Sequence, residues 1–234
     1  MPNTGVMTWE WVFLFVTLVP CIGVMAYLLG KMMVGTRPVR KMKVDGVSLE
    51  LWVTERKFPV SADAIVAPVA PDLQMATGIA KWIRDATADA AQQAAAASAP
   101  LEPGAVLMAP GARYRFGSTI LAVVMDDAKR VEAGWISGAI ATALRKAAAQ
   151  GMDRVIIPDI TEDLLRQPNW ITTEQRVDSC RPIARAVLRG IVEGAAGLDT
   201  VHLWIWQPVY AEVYLEELER IAAQTQAKRS PQPA

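Results

Sequence analysis

From Ser48 onward, short apolar runs alternate with helical periodicities. S-L-E-L-W-V (48–53) alternates with period two, the pattern of a strand with one wetter face. A-D-A-I-V-A-P-V (62–69), A-V-L-M-A-P (105–110), S-T-I-L-A-V-V-M (118–125), R-V-I-I-P-D-I (154–160) and T-V-H-L-W-I-W-Q-P (200–208) are mostly continuous apolar runs bounded by Gly, Pro or Asp. Such runs suit strands buried on both faces. Between them, helices are predicted over the Ala-rich stretch 78–99, over 133–151 with Gly151 as its C-terminal stop, over 181–197 with Pro182 in the first turn, and over 208–224. In the last, Val209, Val213 and Leu218 share one face, and Glu212, Glu216, Glu217 and Glu219 lie largely elsewhere. Alternating strands and helices predict an α/β domain with helices on both faces of a sheet, spanning 48–224. No internal repeat is visible, and the tail 225–234 reads as disordered.

The N-terminal part has a different pattern. After an external tail (1–8), W-E-W-V-F-L-F-V-T-L-V-P-C-I-G-V-M-A-Y-L-L-G defines a span at 9–30, and its last 20 residues, Trp11 to Gly30, carry no charge. At 1.5 Å per residue these reach about 30 Å, enough for a bilayer core. Trp9 and Trp11 at one end and Tyr27 near the other suit the interfacial aromatic belts. A signal peptide would need a basic start and a small-residue cleavage site, and residues 1–10 contain neither Lys nor Arg. A retained single transmembrane helix is therefore expected. Lys31, Arg37, Arg40, Lys41 and Lys43 follow it in a basic juxtamembrane connector, 31–47. Under the positive-inside rule the N-terminus lies outside and the domain on the cytoplasmic side of an inner or cytoplasmic membrane. The same cations could touch anionic headgroups or an acidic partner, although a topology signal alone accounts for them.

Charge and rare residues narrow the chemistry. Lys+Arg and Asp+Glu both total 24, so no net field collects nucleic acid. Two cysteines, Cys21 and Cys180, fit neither a disulfide framework nor a thiolate metal site, and the single histidine, His202, excludes multi-His sites. His202 is read as a half-exposed strand position. Cys180 sits beside Arg181, which would lower its pKa, but with no histidine near in sequence it is not read as a catalytic thiol. Asp126 and Asp127 at a strand end have no third recognisable ligand and read as a solvated turn. The polar stretch 161–180 is predicted as a long loop, with Trp170 either a docking anchor or a ring tucked back on the domain.

The order of these pieces resembles a macrodomain, a fold that in many relatives binds ADP-ribose. D-A-I-V (63–66) with P-D-L (71–73) and G-I-A-K-W-I (78–83) is similar to the family's D-A-I-V-N-A-A-N-P-x-L…G-G-G-V-x-x-A-I. L-E-P-G-A-V-L-M-A-P-G-A-R-Y (101–114) resembles its L-x-x-G-x-A-x-x-T-P-G strand and turn. The stretches 133–160 and 183–218 are similar to its later helix–strand units. The resemblance implies a three-layer α/β/α domain with a mixed sheet, placed behind the transmembrane helix.

The resemblance also implies a degenerate site. Where relatives carry N-A-A-N this chain has Ala67-Pro68-Val69-Ala70, and Ala70 cannot orient a ribose or a water as the family's last Asn does. Only Gly78 survives of the triple Gly. The acidic adenine contact falls in Glu55-Arg56-Lys57-Phe58, where a cation stands in place of the carboxylate. Relatives wrap the diphosphate with a Gly-rich loop; here the register gives Thr161, Glu162 and Asp163. Two like unit charges ~4 Å apart repel by about 4 kcal/mol at an effective dielectric of 20. ADP-ribose binding, cofactors, metals and catalysis are therefore not expected. The expected role is a pseudoenzyme scaffold: a non-catalytic accessory subunit held by the lipid bilayer and by integral membrane protein partners, as in a photosynthetic or respiratory complex. The alternatives are a membrane-tethered ADP-ribose binder or hydrolase with a rearranged site, and a sensor of another nucleotide.

Overall fold

A computed structural model describes residues 37–54, 60–112, 115–161, 164 and 172–229 of the chain. The apolar run with Trp9, Trp11, Tyr27 and Lys31 lies outside the described residues, as do Glu55–Phe58, Glu162, Asp163, Trp170 and the tail from 230. Among the described residues no helix is long and apolar enough to cross a membrane.

The strands are β1 (Arg40–Val44), β2 (Val47–Val53), β3 (Ala62–Val69), β4 (Val106–Ala112), β5 (Phe116–Val123), β6 (Arg154–Pro158) and β7 (Thr200–Ile205). They form one sheet in the order β1-β2-β7-β6-β3-β5-β4. The five central strands run parallel, and the edges β1 and β4 pair antiparallel with β2 and β5. The helices are α1 (Gly78–Ala86), α2 (Ala90–Ala96), α3 (Ala133–Ala149), α4 (Thr173–Gly194) and α5 (Pro208–Arg229).

Alternation along each strand divides the core between the two faces. On β3, Ala64 and Val66 join a cluster built with α3, α4 and α5, while Ile65, Ala67 and Val69 join one built with α1 and α2. Residues buried on both sides explain the continuous apolar runs. Asp63, on the same strand, ties the sheet together at its opposite end: Oδ2 accepts the N–H groups of Asp153 at 2.9 Å and Arg154 at 2.8 Å, where β6 begins. On the other face α3 and α4 meet through small residues. A Cβ on Gly194 would stand 2.5 Å from both Cα and O of Ala141, and one on Gly190 2.7 Å from the Ser137 carbonyl.

Several expectations are corrected. The connector 31–47 contains β1, with Arg40, Lys41 and Lys43 as strand residues; Asp45 (φ 48) and Gly46 (φ 94) form the two-residue turn into β2, a D-G hairpin signal. The single helix expected over 78–99 is two helices, separated where Ala88 (φ 48) and Asp89 (φ 63) turn left-handed. The long loop expected over 161–180 is already helical from Thr173. Thr172 caps α4 in a box in which the Gln175 N–H donates to its Oγ1 at 3.2 Å and its own N–H donates to Gln175 Oε1 at 3.0 Å. Pro182 therefore lies inside α4, not in its first turn. Helix α5 extends through Arg229, beyond the boundary expected at 224. Gly151 does end α3: its N–H reaches the Ala148 carbonyl at 2.9 Å and that of Met152 reaches Ala147 at 3.1 Å, with Gly151 at φ 72.

Candidate functional site

In an open parallel sheet the ligand position lies outside the carboxyl ends of the strands, where neighbouring connections diverge to opposite faces. Here β3 leads to α1 on one face and β6 leads to α4 on the other. The β3–α1 connection, residues 70–77, forms one wall of that position.

This connection is folded inward. The Leu73 N–H closes a turn on the Ala70 carbonyl at 2.9 Å, with Leu73 itself left-handed at φ 54. The Gln74 N–H donates to Asp72 Oδ1 at 3.1 Å. The Met75 N–H donates to Gln92 Oε1 at 2.7 Å, and Gln92 Nε2 returns a bond to the Leu73 carbonyl at 3.3 Å. Leu101 N–H holds the Pro71 carbonyl at 3.0 Å. Leu73 and Met75 are fully buried in the α1/α2 core. An anion cradle needs successive backbone N–H groups aimed at the ligand. Three successive amides here, at 73, 74 and 75, point instead at acceptors within the protein.

The recess that remains is about 130 Å³, lined by Pro68, Ala70, Asp72, Thr77, Met125 and Lys129 among others. A pocket that buries a drug-sized ligand holds roughly 300–1,000 Å³. Of the positions singled out in the sequence, Ala70 lines this recess. Ala67 is fully buried beneath it in the α1/α2 core. Gly78 opens α1 at φ 55, a left-handed conformation that glycine adopts without strain.

Thr161 faces the interior. Its N–H donates to Asp159 Oδ1 at 2.9 Å, and its Oγ1 lies 3.6 Å from Cys180 Sγ and 3.5 Å from the Tyr214 hydroxyl. All four residues are buried. Burial, with the nearby Asp159 carboxylate adding to it, pushes the Cys180 thiol up to about 12, and the downward pull of Arg181 expected from sequence is a minor effect. Burial likewise raises Tyr214 well above the ordinary phenol range. Neither group is an accessible nucleophile or base.

The other candidates have structural surroundings. His202 is buried, not half-exposed, because β7 is an interior strand; its Nδ1 lies 3.3 Å from Glu50 Oε2. Its pKa is lowered chiefly by burial, with Glu50 opposing that shift. Asp126 closes the turn after β5 on the Arg130 N–H at 2.8 Å and on its guanidinium at 2.6 Å. The backbone N–H of Arg130 is the largest cause of its lowered pKa. No group of three or more potential metal ligands occurs among the described residues. Sequence reasoning missed Gln92, Met125 and Lys129, which come from elements distant in the chain. It also missed Trp206 at the carboxyl end of β7, whose ring meets Trp204 edge-on at 5.7 Å.

No protein-family model and no curated protein matches the sequence. Solved structures do match. The Oceanobacillus iheyensis macrodomain with MES bound is 14% identical with a TM-score of 0.61, covering 79% of this chain and 97% of that one. The same macrodomain with ADP gives the same values. The Trypanosoma brucei macrodomain in complex with ADP-ribose is 14% identical with a TM-score of 0.61, covering 78% of this chain and 74% of that one. With the seven-stranded mixed sheet and its two helical layers, these matches establish that the domain has the macrodomain fold.

Proposed function

We propose that the chain is a non-catalytic, single-pass membrane subunit that uses a macrodomain-fold body as a scaffold against integral partners of a larger membrane assembly. A photosynthetic or respiratory complex is one class of host. The observation that carries this reading is the inward use of the amides at 73, 74 and 75. Together with the small recess, it removes three successive amides of the β3–α1 wall from any diphosphate cradle. The apolar run Trp11–Gly30 and the cations after it support the anchor and the N-out orientation. Gentle purification of the full chain from its native membrane tests the role: stable co-purification with integral proteins is expected, and a lone monomer would overturn it.

A second reading is favoured by the likeness to macrodomains solved with ADP and ADP-ribose: a tethered ADP-ribose binder or hydrolase with a rearranged site. Titration calorimetry of ADP-ribose into the full chain separates the two. The scaffold reading expects no heat up to millimolar ligand, and a micromolar dissociation constant would replace it with the second reading.

A further inference from the structure

Strand β1 is antiparallel to β2, with Arg40 opposite Leu51 and Val44 opposite Val47. β2 in turn is parallel to the central strands. The Arg40 end of β1 therefore stands at the carboxyl end of the parallel sheet, the same end as the crevice, while the Asp45–Gly46 turn stands at the opposite end. At that corner Arg37, Arg40 and Lys41 are exposed. Val39, between the two arginines, is 56% exposed, the more exposed of the two large apolar side chains that stand out among the described residues.

We propose that this corner docks on anionic lipid headgroups and so turns the crevice end of the sheet toward the bilayer. The inference rests on the membrane-anchored reading. Gly30, the last residue of the apolar run, is seven residues from Arg37, a reach of at most about 25 Å. Cations held that close to an anionic surface gain about fivefold each in the docked-to-free ratio. The charges are available: Arg37 has no ion pair among the described residues, and the Arg40 partner, Glu219 at 3.8 Å, is itself 66% exposed. An exposed pair of that kind competes weakly with a surface. Lys41 is held more closely by Glu50 at 2.7 Å and contributes less. On the same end, Asp126 is paired with Arg130, while Asp72 and Asp127 are exposed; all three follow β3 or β5, across the sheet from β1. An apolar side chain flanked by long cations suits the headgroup boundary, where the stems lie along apolar surface and the charges stay in water. An acidic peptide added to the open edge of β1 is the rival occupant, but a five-residue, Lys-flanked strand has the pattern that discourages edge pairing.

The test uses the full chain in nanodiscs of phosphatidylcholine, alone or mixed with phosphatidylserine, in a Cys21→Ser background. A fluorophore is placed either at the crevice end (Ala76→Cys) or at the opposite end of the sheet (Ala196→Cys), both exposed positions. Energy transfer to a headgroup acceptor is then measured. Stronger transfer from position 76 than from 196 is expected, with the difference larger in phosphatidylserine. The pair Arg37→Gln and Arg40→Gln should reduce the docked-to-free ratio by about 25-fold. Equal transfer from the two positions, greater transfer from 196, or a difference indifferent to phosphatidylserine would overturn the docking inference while leaving the anchor intact. A chain that stays out of both nanodiscs would overturn the anchored reading, and this inference with it.

Discussion

Gln92 is the side chain on which the closed shape of the β3–α1 connection turns. It accepts the Met75 N–H at 2.7 Å and donates to the Leu73 carbonyl at 3.3 Å. Gln92→Ala removes both bonds. At about 1 kcal/mol net each, the loss is about 2 kcal/mol, partly recovered if water reaches the freed groups. An opening confined to the loop should therefore accelerate amide exchange at 73 and 75 by up to about 30-fold. The unfolding midpoint should fall by less than that figure implies, since Leu73 and Met75 remain buried. Gln92→Glu sharpens the assignment. A carboxylate can still accept from Met75 but can no longer donate to Leu73, so position 75 should stay protected relative to the Ala variant. Native-state hydrogen exchange read by mass spectrometry or NMR supplies both values. Unchanged exchange at 73 and 75 in Gln92→Ala would refute the clasp and leave apolar burial and the remaining bonds, among them Leu101 N–H to the Pro71 carbonyl, to hold the loop closed.

Other expectations concern packing, acid stability and thiol reactivity. Gly194→Ala should cost about 1–3 kcal/mol in chemical denaturation, because its Cβ would meet Ala141 at 2.5 Å. Gly138→Ala, on the same helix pair but with nothing within 4 Å of the added Cβ, should be neutral or stabilise by up to about 1 kcal/mol. Glu217, 2% exposed, lies 2.9 Å from Arg185 and 2.6 Å from Arg220, and the Arg185 bond is the largest cause of its lowered pKa. Its contribution to stability is full above its unfolded-state pKa and is lost as pH falls through the folded one. Glu217→Gln should therefore flatten the acid limb of a urea-midpoint series, and an unchanged limb would remove Glu217 as its source. Cys180, buried with its thiol pushed up to about 12, should resist iodoacetamide in the native protein and react only on unfolding. Native labelling seen by mass spectrometry would contradict its burial.

How much of this was legible in the sequence depended on how local each signal was. Strand β3 and helix α3 are marked by a continuous apolar run and by a stop glycine, and both lie within a residue or two of the expected limits. Strand β1 escaped because its five residues, R-K-M-K-V, carry three cations, and only the D-G turn after it announces a hairpin. The first turns of α4 were hidden by exposed polar residues with no apolar period, although the Thr172–Gln175 capping box was written in the sequence. The break between α1 and α2 falls in an Ala-rich stretch with no Gly or Pro to mark it. The burial of His202 follows from its strand being flanked on both sides, which no local window contains. At the site, the replacement of a polar side chain by Ala70 was readable. The bonds that close the loop were not, because Gln92 lies 17 and 19 residues from its partners.

The carboxylate of Asp63 separates two meanings folded into one motif. It stands at the head of D-A-I-V, yet its partners are the amides that start a neighbouring strand, at the far end of the sheet from the crevice. What this part of the resemblance carries is thus joinery: it holds β6 to β3 and leaves the crevice at the other end untouched. A search keyed to those four letters retrieves architecture, whatever the crevice does.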